Sequence, residues 1–262
     1  MDTTHDLSDR ELERRLAAER EFHNRKFGEG QHAGLSDAIY ELPRVAYRFF
    51  EAEAAPRAAG ARVLEFGCGD TSYAVKLCGW GADVTAIDIS DEAIEETRRR
   101  VESAGCADRT RLLRMNAEEL EFPDASFDLV IGRAILHHLD LDKAYATIAR
   151  VLRPGGTALF LEPLAHNPVI NLYRRWTPQL RTEDEHPLTM ADLAAARRHF
   201  ARVELSYYTL LSIGALALAK APRLFKPALD ALDRADAALF RALPAAGRWA
   251  WTAGMIMEKK AA

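Results

Sequence analysis

Cysteine is scarce in this chain. There are three among 262 residues, at positions 68, 78 and 106, with no C-x-x-C spacing, and an odd number cannot all pair with one another. Reduced thiols and a cytoplasmic setting are therefore expected. Long hydrophobic runs are missing as well. The most apolar stretch, Leu205 to Ala219, is shorter than the roughly 20 residues a bilayer span requires, and Tyr, Ser, Thr and Gly interrupt it. No transmembrane helix is expected, and residues 1–6 lack the charged-then-apolar pattern of a secretory signal. Nor is there an excess of positive charge: 35 Lys and Arg stand against 39 Asp and Glu, a formal net charge of −4. Phosphate binding depends on clustered Lys and Arg, so nucleic acid is not expected as the partner. The one short basic run, Arg98-Arg99-Arg100, falls near the end of a predicted helix, where it suits the helix dipole on a solvated face.

What is present is enough apolar residue to bury a core, 48% hydrophobic beside 28% charged. Ser8-Asp9-Arg10-Glu11 reads as a capping box opening an amphipathic helix to about Lys26. A second helix is predicted over Pro43 to Ala54, with Val45, Ala46, Phe49 and Phe50 inward. From Arg62 the pattern alternates. Strands are predicted at 63–66, 83–87, 111–115, 127–131 and 157–161. A helix follows Gly69 to about Trp80, another runs from the cap Ser90 to about Ser103, and a third covers Asp142 to Leu152. Pro154-Gly155-Gly156 is a turn signal. A helix at 191–200 and strands at 203–208 and 252–258 complete the chain. The expected fold is α/β: a Rossmann-like, seven-stranded, mostly parallel sheet with helices on both faces. The divisions are an N-terminal helical cap over 1–56, a core over 57–209, a helical insertion over 210–250 and a final strand over 251–262.

The chemistry centres on Val63-Leu64-Glu65-Phe66-Gly67-Cys68-Gly69-Asp70. Glycines at a strand-to-helix turn let the backbone pass close to a ligand. Asp88 stands roughly 20 residues on, where a carboxylate can accept from both hydroxyls of a ribose. Two details separate this from a dinucleotide site. Ser72 occupies the third position of G-x-G-x-x-G, and Asp70 puts negative charge where a pyrophosphate would meet the helix N-terminus. The site reads as phosphate-free. It suits a cationic sulfonium cofactor bearing an amine, with Glu65 as a second carboxylate near that amine.

At this point the chain resembles the class I S-adenosylmethionine-dependent methyltransferases. Within them it is most similar to the small-molecule group that includes ubiquinone, sterol and antibiotic methyltransferases (methyltransferase type 11). The resemblance covers about Arg62 to Glu162 and rests on V-L-E-F-G-C-G, V-T-A-I-D-I-S, N-A-E, F-D-L-V-I-G-R-A-I-L-H-H-L and L-R-P-G-G, in that order. It implies S-adenosylmethionine as cofactor and S-adenosylhomocysteine as product. It further implies that Gly67, Cys68 and Gly69 pass beside the methionine part, that Asp88 holds the ribose and that Ile89 packs on the adenine. Asn116, Ala117 and Glu118 would border the adenine edge, and Gly132-Arg133 would close over the methionine end. The family often has Asp where Asn116 stands; an Asn oxygen can still accept from an adenine amino group.

Methyl transfer from a sulfonium needs alignment and removal of the acceptor's proton. His137 and His138, after the fourth strand, and Glu162, ending the fifth, are the candidates for that proton chemistry. The pattern is similar to antibiotic and sugar O-methyltransferases, with a His as base and Glu162 as its orienter. Packing or helix-capping roles compete with these assignments. His166 and His186 lie in a polar segment over 163–187 that reads as a surface loop or substrate lid. No H-x-x-x-H spacing supports a metal there. Tyr173, Arg174 and Trp176 are candidate acceptor contacts. The insertion carries Leu224, Phe225, Leu229, Leu232, Leu239, Phe240 and Trp249 at near-helical spacing. A cap on the sheet edge is the preferred reading. Its mixed charges disfavour a peripheral membrane role. The expected function is O-methylation of a small apolar or amphipathic acceptor, in the manner of secondary metabolism. The alternatives are C- or N-methylation of an isoprenoid, quinone or lipid, and a non-catalytic cofactor-binding protein.

Overall fold

The computed structural model describes residues 35–177 and 186–261. The capping box at Ser8 and its helix, and residues 178–185 of the expected lid, lie outside the described residues. Two helices open the described chain, α1 (Leu35–Glu41) and α2 (Arg44–Ala58). The core then runs β1 (Arg62–Phe66), α3 (Ala74–Gly79), β2 (Asp83–Asp88), α4 (Asp91–Ser103), β3 (Thr110–Arg114), β4 (Phe127–Arg133), α5 (Leu141–Val151) and β5 (Leu152–Pro163). After it come α6 (Pro168–Trp176), α7 (Met190–Ala195), β6 (Arg202–Tyr208), α8 (Pro222–Ala242) and β7 (Thr252–Glu258). The strands form one sheet of seven in the order β3-β2-β1-β4-β5-β7-β6. β1 to β5 pair in parallel, while β7 runs antiparallel to both neighbours, β5 and β6.

Both faces of the sheet are covered, because strands buried on both sides read as continuous apolar runs. One face takes α2, α3 and α4. On α2, Ala46, Phe50, Ala54 and Ala58 recur every fourth residue and are fully buried, and the alanines let the helix lie close to Val63, Leu129 and Leu159. The other face takes α5 and α7, with Tyr145, Ile148 and Leu193 against Phe66, Val130 and Phe160. Fully burying one such side chain contributes about 1.5–3 kcal/mol. Helix starts follow the chemistry of their caps. Ser90 accepts from the Ala93 amide, Asp140 from those of Asp142 and Lys143, and Asn167 from those of Val169 and Ile170.

Three features differ from the sequence expectation. The helix after the glycine turn is split into a 3₁₀ turn at Gly69–Thr71 and the short α3, because Ser72 is extended and breaks the run. The Pro154-Gly155-Gly156 turn is a bulge inside β5: the register shifts between Phe127 and Leu129, and Gly155 has φ 71°. Lastly, Cys78 and Cys106 form a disulfide, leaving Cys68 as the free thiol. The fold lays the end of α3 beside the turn after α4, bringing the two Cα atoms to 6.2 Å across a separation of 28 residues. The expectation of three reduced thiols fails there, and with it the thiol argument for a cytoplasmic setting.

The Leu210–Ala250 segment forms a 3₁₀ stretch (Leu211–Leu218), α8 and a second 3₁₀ stretch (Pro244–Trp249). It has a small core of its own. Phe225 and Leu229 of α8 meet Ile213, Leu42 and Ile170 of α6. Leu224, in contrast, is 59% exposed. Buried Asp236 accepts from the amides of Leu210, Leu211 and Ser212. Arg44 of α2 reaches Asp230 and Asp233 of α8. Among the described residues no helix is long and apolar enough to cross a membrane.

Candidate active site

The turn after β1 is shaped by backbone that only glycine adopts cheaply. Gly67 has φ 75° and Gly69 φ 53°, and a Cβ on Gly67 would lie 2.8 Å from Ile135 Cγ1. Gly67 and Cys68 donate their amides to the Ile87 carbonyl at the end of β2. Asp88 then bridges two loops. One oxygen accepts from the Gly69 amide and the other from the Ser90 amide, both at 2.9 Å. The next residue, Ile89, is half-buried beside this turn. Cys68 is buried, with Thr97 Oγ1 3.7 Å from its sulfur. Burial, then the charges of Glu65 and Asp88, raise its thiol well above the usual range, which suits a packing role. The Asp70 side chain lies outside the described atoms.

Glu65 is turned toward the start of α3. It accepts from Ser72 Oγ at 2.7 Å and from the Tyr73 amide, so it anchors the turn from beneath. Burial pushes its carboxyl from 4.5 up to about 7, opposed by the Tyr73 and Ser72 hydrogen bonds. A carboxyl raised in this way holds its proton more tightly folded than unfolded. Stability therefore falls as pH climbs from 4.5 to about 7 and levels off beyond. Glu65→Gln should flatten that slope, by on the order of 2 kcal/mol between about pH 5 and pH 8. Urea unfolding at both pH values checks it, and parallel slopes in the two proteins would refute it.

Arg133 ends β4 and ties three elements together. It donates to the Thr71 carbonyl at 2.8 Å and to Thr71 Oγ1 at 2.7 Å. Its guanidinium lies 4.4 Å from the Tyr73 ring centre and 5.4 Å from that of Tyr47 on α2. Gly132 is a glycine because of its neighbours: a Cβ would lie 2.8 Å from Phe160 Cδ1 and 2.9 Å from Ile135 Cγ2. Phe160 is fully buried and cannot retreat. Gly132→Ala should cost about 1–3 kcal/mol, read as a lower denaturation midpoint at unchanged m-value; an unchanged midpoint would mean that Ile135 and Phe160 repack freely. On the far side of the turn, Asn116 Oδ1 accepts from the Glu118 amide. Ala117 is buried, and Glu118 accepts from the Asp140 amide at 2.8 Å, linking the loop after β3 to the start of α5.

His137 and Glu162 meet. His137 Nδ1 lies 2.8 Å from Glu162 Oε2, and Glu162 Oε1 accepts from the amides of Ile135 and Leu136, each at 3.0 Å. Glu162 is fully buried and His137 nearly so. A carboxylate holding Nδ1–H leaves Nε2 as the proton-accepting nitrogen of a neutral imidazole. The His137 and His138 rings lie 4.2 Å apart between centres, tilted by 39°. Both line a cleft of about 420 Å³ with Asp140, His186, Leu188 and Asp192. The His186 amide donates to the His137 carbonyl at 3.0 Å.

The other candidates sit apart from this cleft. His166 lies half-buried in the turn between β5 and α6, Tyr173 and Arg174 are half-buried on α6, and Trp176 is 73% exposed. Sequence reasoning named Arg133 but passed over its partners Thr71, Tyr73 and Tyr47, which come from other elements, and over Asp140 and Asp192 at the cleft. A slightly larger cleft, about 490 Å³, lies by Arg62, Asp83 and Thr110 at the amino ends of the strands. That is the wrong end, since open α/β sheets bind ligands at the carboxyl ends.

Residues 64–160, spanning β1 through most of β5, match the family model described as a methyltransferase domain. The chain carries a methyltransferase domain. Two curated relatives are similar over this region. The ubiquinone/menaquinone biosynthesis C-methyltransferase of Psychromonas ingrahamii is 38% identical over 107 residues, which cover 39% of this chain and 43% of that protein. The 27-O-demethylrifamycin SV methyltransferase of Amycolatopsis mediterranei is 40% identical over 103 residues, 38% of each chain. The chain thus spans about two fifths of the length of these relatives. Likeness of fold reaches further. The crystal structure of geranyl diphosphate C-methyltransferase from Streptomyces coelicolor superposes with a TM-score of 0.62 over 95% of this chain and 98% of that one, at 15% identity. The match ends at Phe160; Glu162, α6 and the insertion lie beyond it.

Proposed function

We propose that this protein is an S-adenosylmethionine-dependent methyltransferase acting at an oxygen of a small apolar or amphipathic acceptor. The observation that carries the reading is the His137–Glu162 hydrogen bond, set against the glycine turn through Ile135. S-adenosylmethionine, when bound, supplies a methyl group on a sulfonium, and its loss leaves neutral S-adenosylhomocysteine. The left-handed Gly67 and Gly69, with no side chain in the way, and the Asp88 carboxylate held between two loops, fit such a cofactor. Asp88 would take the ribose hydroxyls and Ile89 the adenine face. Arg133 holds the turn at Thr71 against Tyr47 of α2, which ties the cofactor loop to that helix.

His137 Nε2 removes the acceptor's hydroxyl proton as the oxygen–carbon bond forms, and Glu162 steadies the imidazolium that results. Likeness to two C-methyltransferases favours a second reading, in which the acceptor atom is carbon in a quinone or isoprenoid. His137 would then take the proton lost from that carbon. Acceptor choice would rest with the residues outside the family match: the N-terminal cap, the 163–187 segment and the insertion.

The test is calorimetric titration with S-adenosylmethionine and S-adenosylhomocysteine, with NAD as control. An acceptor screen by transfer of a labelled methyl follows, and the mass and bond position of the product separate the two readings. Micromolar binding of both sulfur ligands and none of NAD is the expected result. Folded protein that binds neither sulfur ligand would end the methyltransferase reading. Binding without transfer to any acceptor would leave a cofactor-binding protein.

A further inference from the structure

Ile135 joins the two halves of the site. Its side chain fills the space that two glycines leave open at the ends of the neighbouring strands β1 and β4. A Cβ on Gly67, just after β1, would lie 2.8 Å from Ile135 Cγ1 and 2.9 Å from Cδ1, and one on Gly132 of β4 would lie 2.9 Å from Cγ2. Each branch of the isoleucine thus has its own slot, and a side chain on either glycine would displace it. The backbone of Ile135 serves the other half. Its amide and that of Leu136 donate to Glu162 Oε1, while Glu162 Oε2 holds His137 Nδ1 at 2.8 Å. The residue before it, Ala134, is exposed and has φ 51°, a left-handed conformation that strains a residue with a Cβ. Such a turn persists only where its surroundings over-determine it. Two contacts do so: the Ala134 amide donates to the Leu161 carbonyl at 2.9 Å, and the Ile135 side chain is seated between the glycines. A β-branched side chain is stiff at χ1, so fixing its branches fixes the backbone that carries it. In A-I-L-H-H-L nothing sets this isoleucine apart from its apolar neighbours.

We propose that Ile135 is the positioning residue of this site. Its seat against the glycine turn sets the amides that hold Glu162, and through Glu162 the direction of the His137 ring. The purpose rests on the methyltransferase reading: a cofactor lying along Gly67 to Gly69 immobilises the slot, so the base is ordered once the methyl donor is in place.

The test is exchange with water of the His137 Nδ1 proton, followed by NMR in the full chain carrying isotope-labelled histidine, with and without S-adenosylhomocysteine. Loss of the signal in His137→Gln assigns it. Two substitutions separate shape from volume. Ile135→Val keeps the branch at Cβ, so both slots stay occupied by a smaller side chain. Ile135→Leu keeps the volume but moves the branch to Cγ and leaves the Gly132 slot empty. Exchange should stay within about twofold of wild type in the Val variant and rise about tenfold in the Leu variant. S-adenosylhomocysteine should slow exchange about tenfold in the wild type and by less than about twofold in Ile135→Leu. A side chain that only fills volume would give the reverse order, with Leu close to wild type and Val impaired. That order, or equal exchange in all three proteins, would overturn the proposal. So would bound S-adenosylhomocysteine that leaves the wild-type rate unchanged, or a wild-type proton that exchanges too fast to be seen. If S-adenosylhomocysteine does not bind, the cofactor reading fails by itself, and the three unliganded proteins still decide the role of Ile135.

Discussion

Asp88→Ala should weaken S-adenosylhomocysteine binding by about 100-fold while leaving the protein folded. The carboxylate is the single group that accepts from both the Gly69 and Ser90 amides, so it sets the distance between the glycine turn and the start of α4. Hydrogen bonds to a charged acceptor contribute roughly 1.5–3 kcal/mol each. The variant loses two that preorganise the loops, besides those proposed to the ribose, and about 2.7 kcal/mol suffices for the stated factor. Both amides border a half-open turn, so water can replace the carboxylate in the unliganded protein and the loss of stability should be small. Asp88→Asn should fall between, since one amide oxygen can serve one of the two donors while its NH₂ faces the other. Titration calorimetry together with thermal unfolding separates affinity from folding. Full affinity in folded Asp88→Ala would place the ribose contact elsewhere.

Glu162 separates stability from chemistry through two substitutions. Glu162→Ala strands the Ile135 and Leu136 amides and His137 Nδ1 in a fully buried position, and should cost about 3–5 kcal/mol. Glu162→Gln keeps the volume and can keep an oxygen toward the two amides. It then presents its NH₂ to His137 Nδ1, which must become the acceptor, and the ring proton moves to Nε2. The nitrogen proposed to take the acceptor's proton is thereby blocked. Methyl transfer should fall roughly 100- to 10,000-fold, with cofactor affinity within about a factor of two and near-native unfolding. A Gln variant that turns over at the wild-type rate would reduce Glu162 to a structural acceptor for the loop.

Much of this site was legible in one dimension because its parts are local. The glycines, Asp88 and the cap at Ser90 each act within a strand end and the turn that follows, and turn chemistry is written in adjacent residues. The Glu162–His137 pairing was reachable from sequence because Glu162 ends β5 and His137 follows the end of β4, its parallel neighbour. Glu65 shows the limit. Its place before the turn suggested a ligand amine, and in three dimensions its carboxylate points back under the turn to Ser72 and Tyr73. Nothing in V-L-E-F-G encodes that choice of direction.

By itself, the sequence determined the alternation of strands and helices, the glycine turn, the caps and the match to a methyltransferase domain, because each rests on periodicity or on neighbouring residues. The tertiary structure alone decided what is joined across the chain. It brought Arg133 to Tyr47 and Tyr73, and Cys78 to Cys106. It also decided which tryptophans are left in solvent at Trp176 and Trp249. Contacts of this kind depend on where whole elements are carried by the order of the sheet, and that order is set by the packing of both faces rather than by any local run of residues.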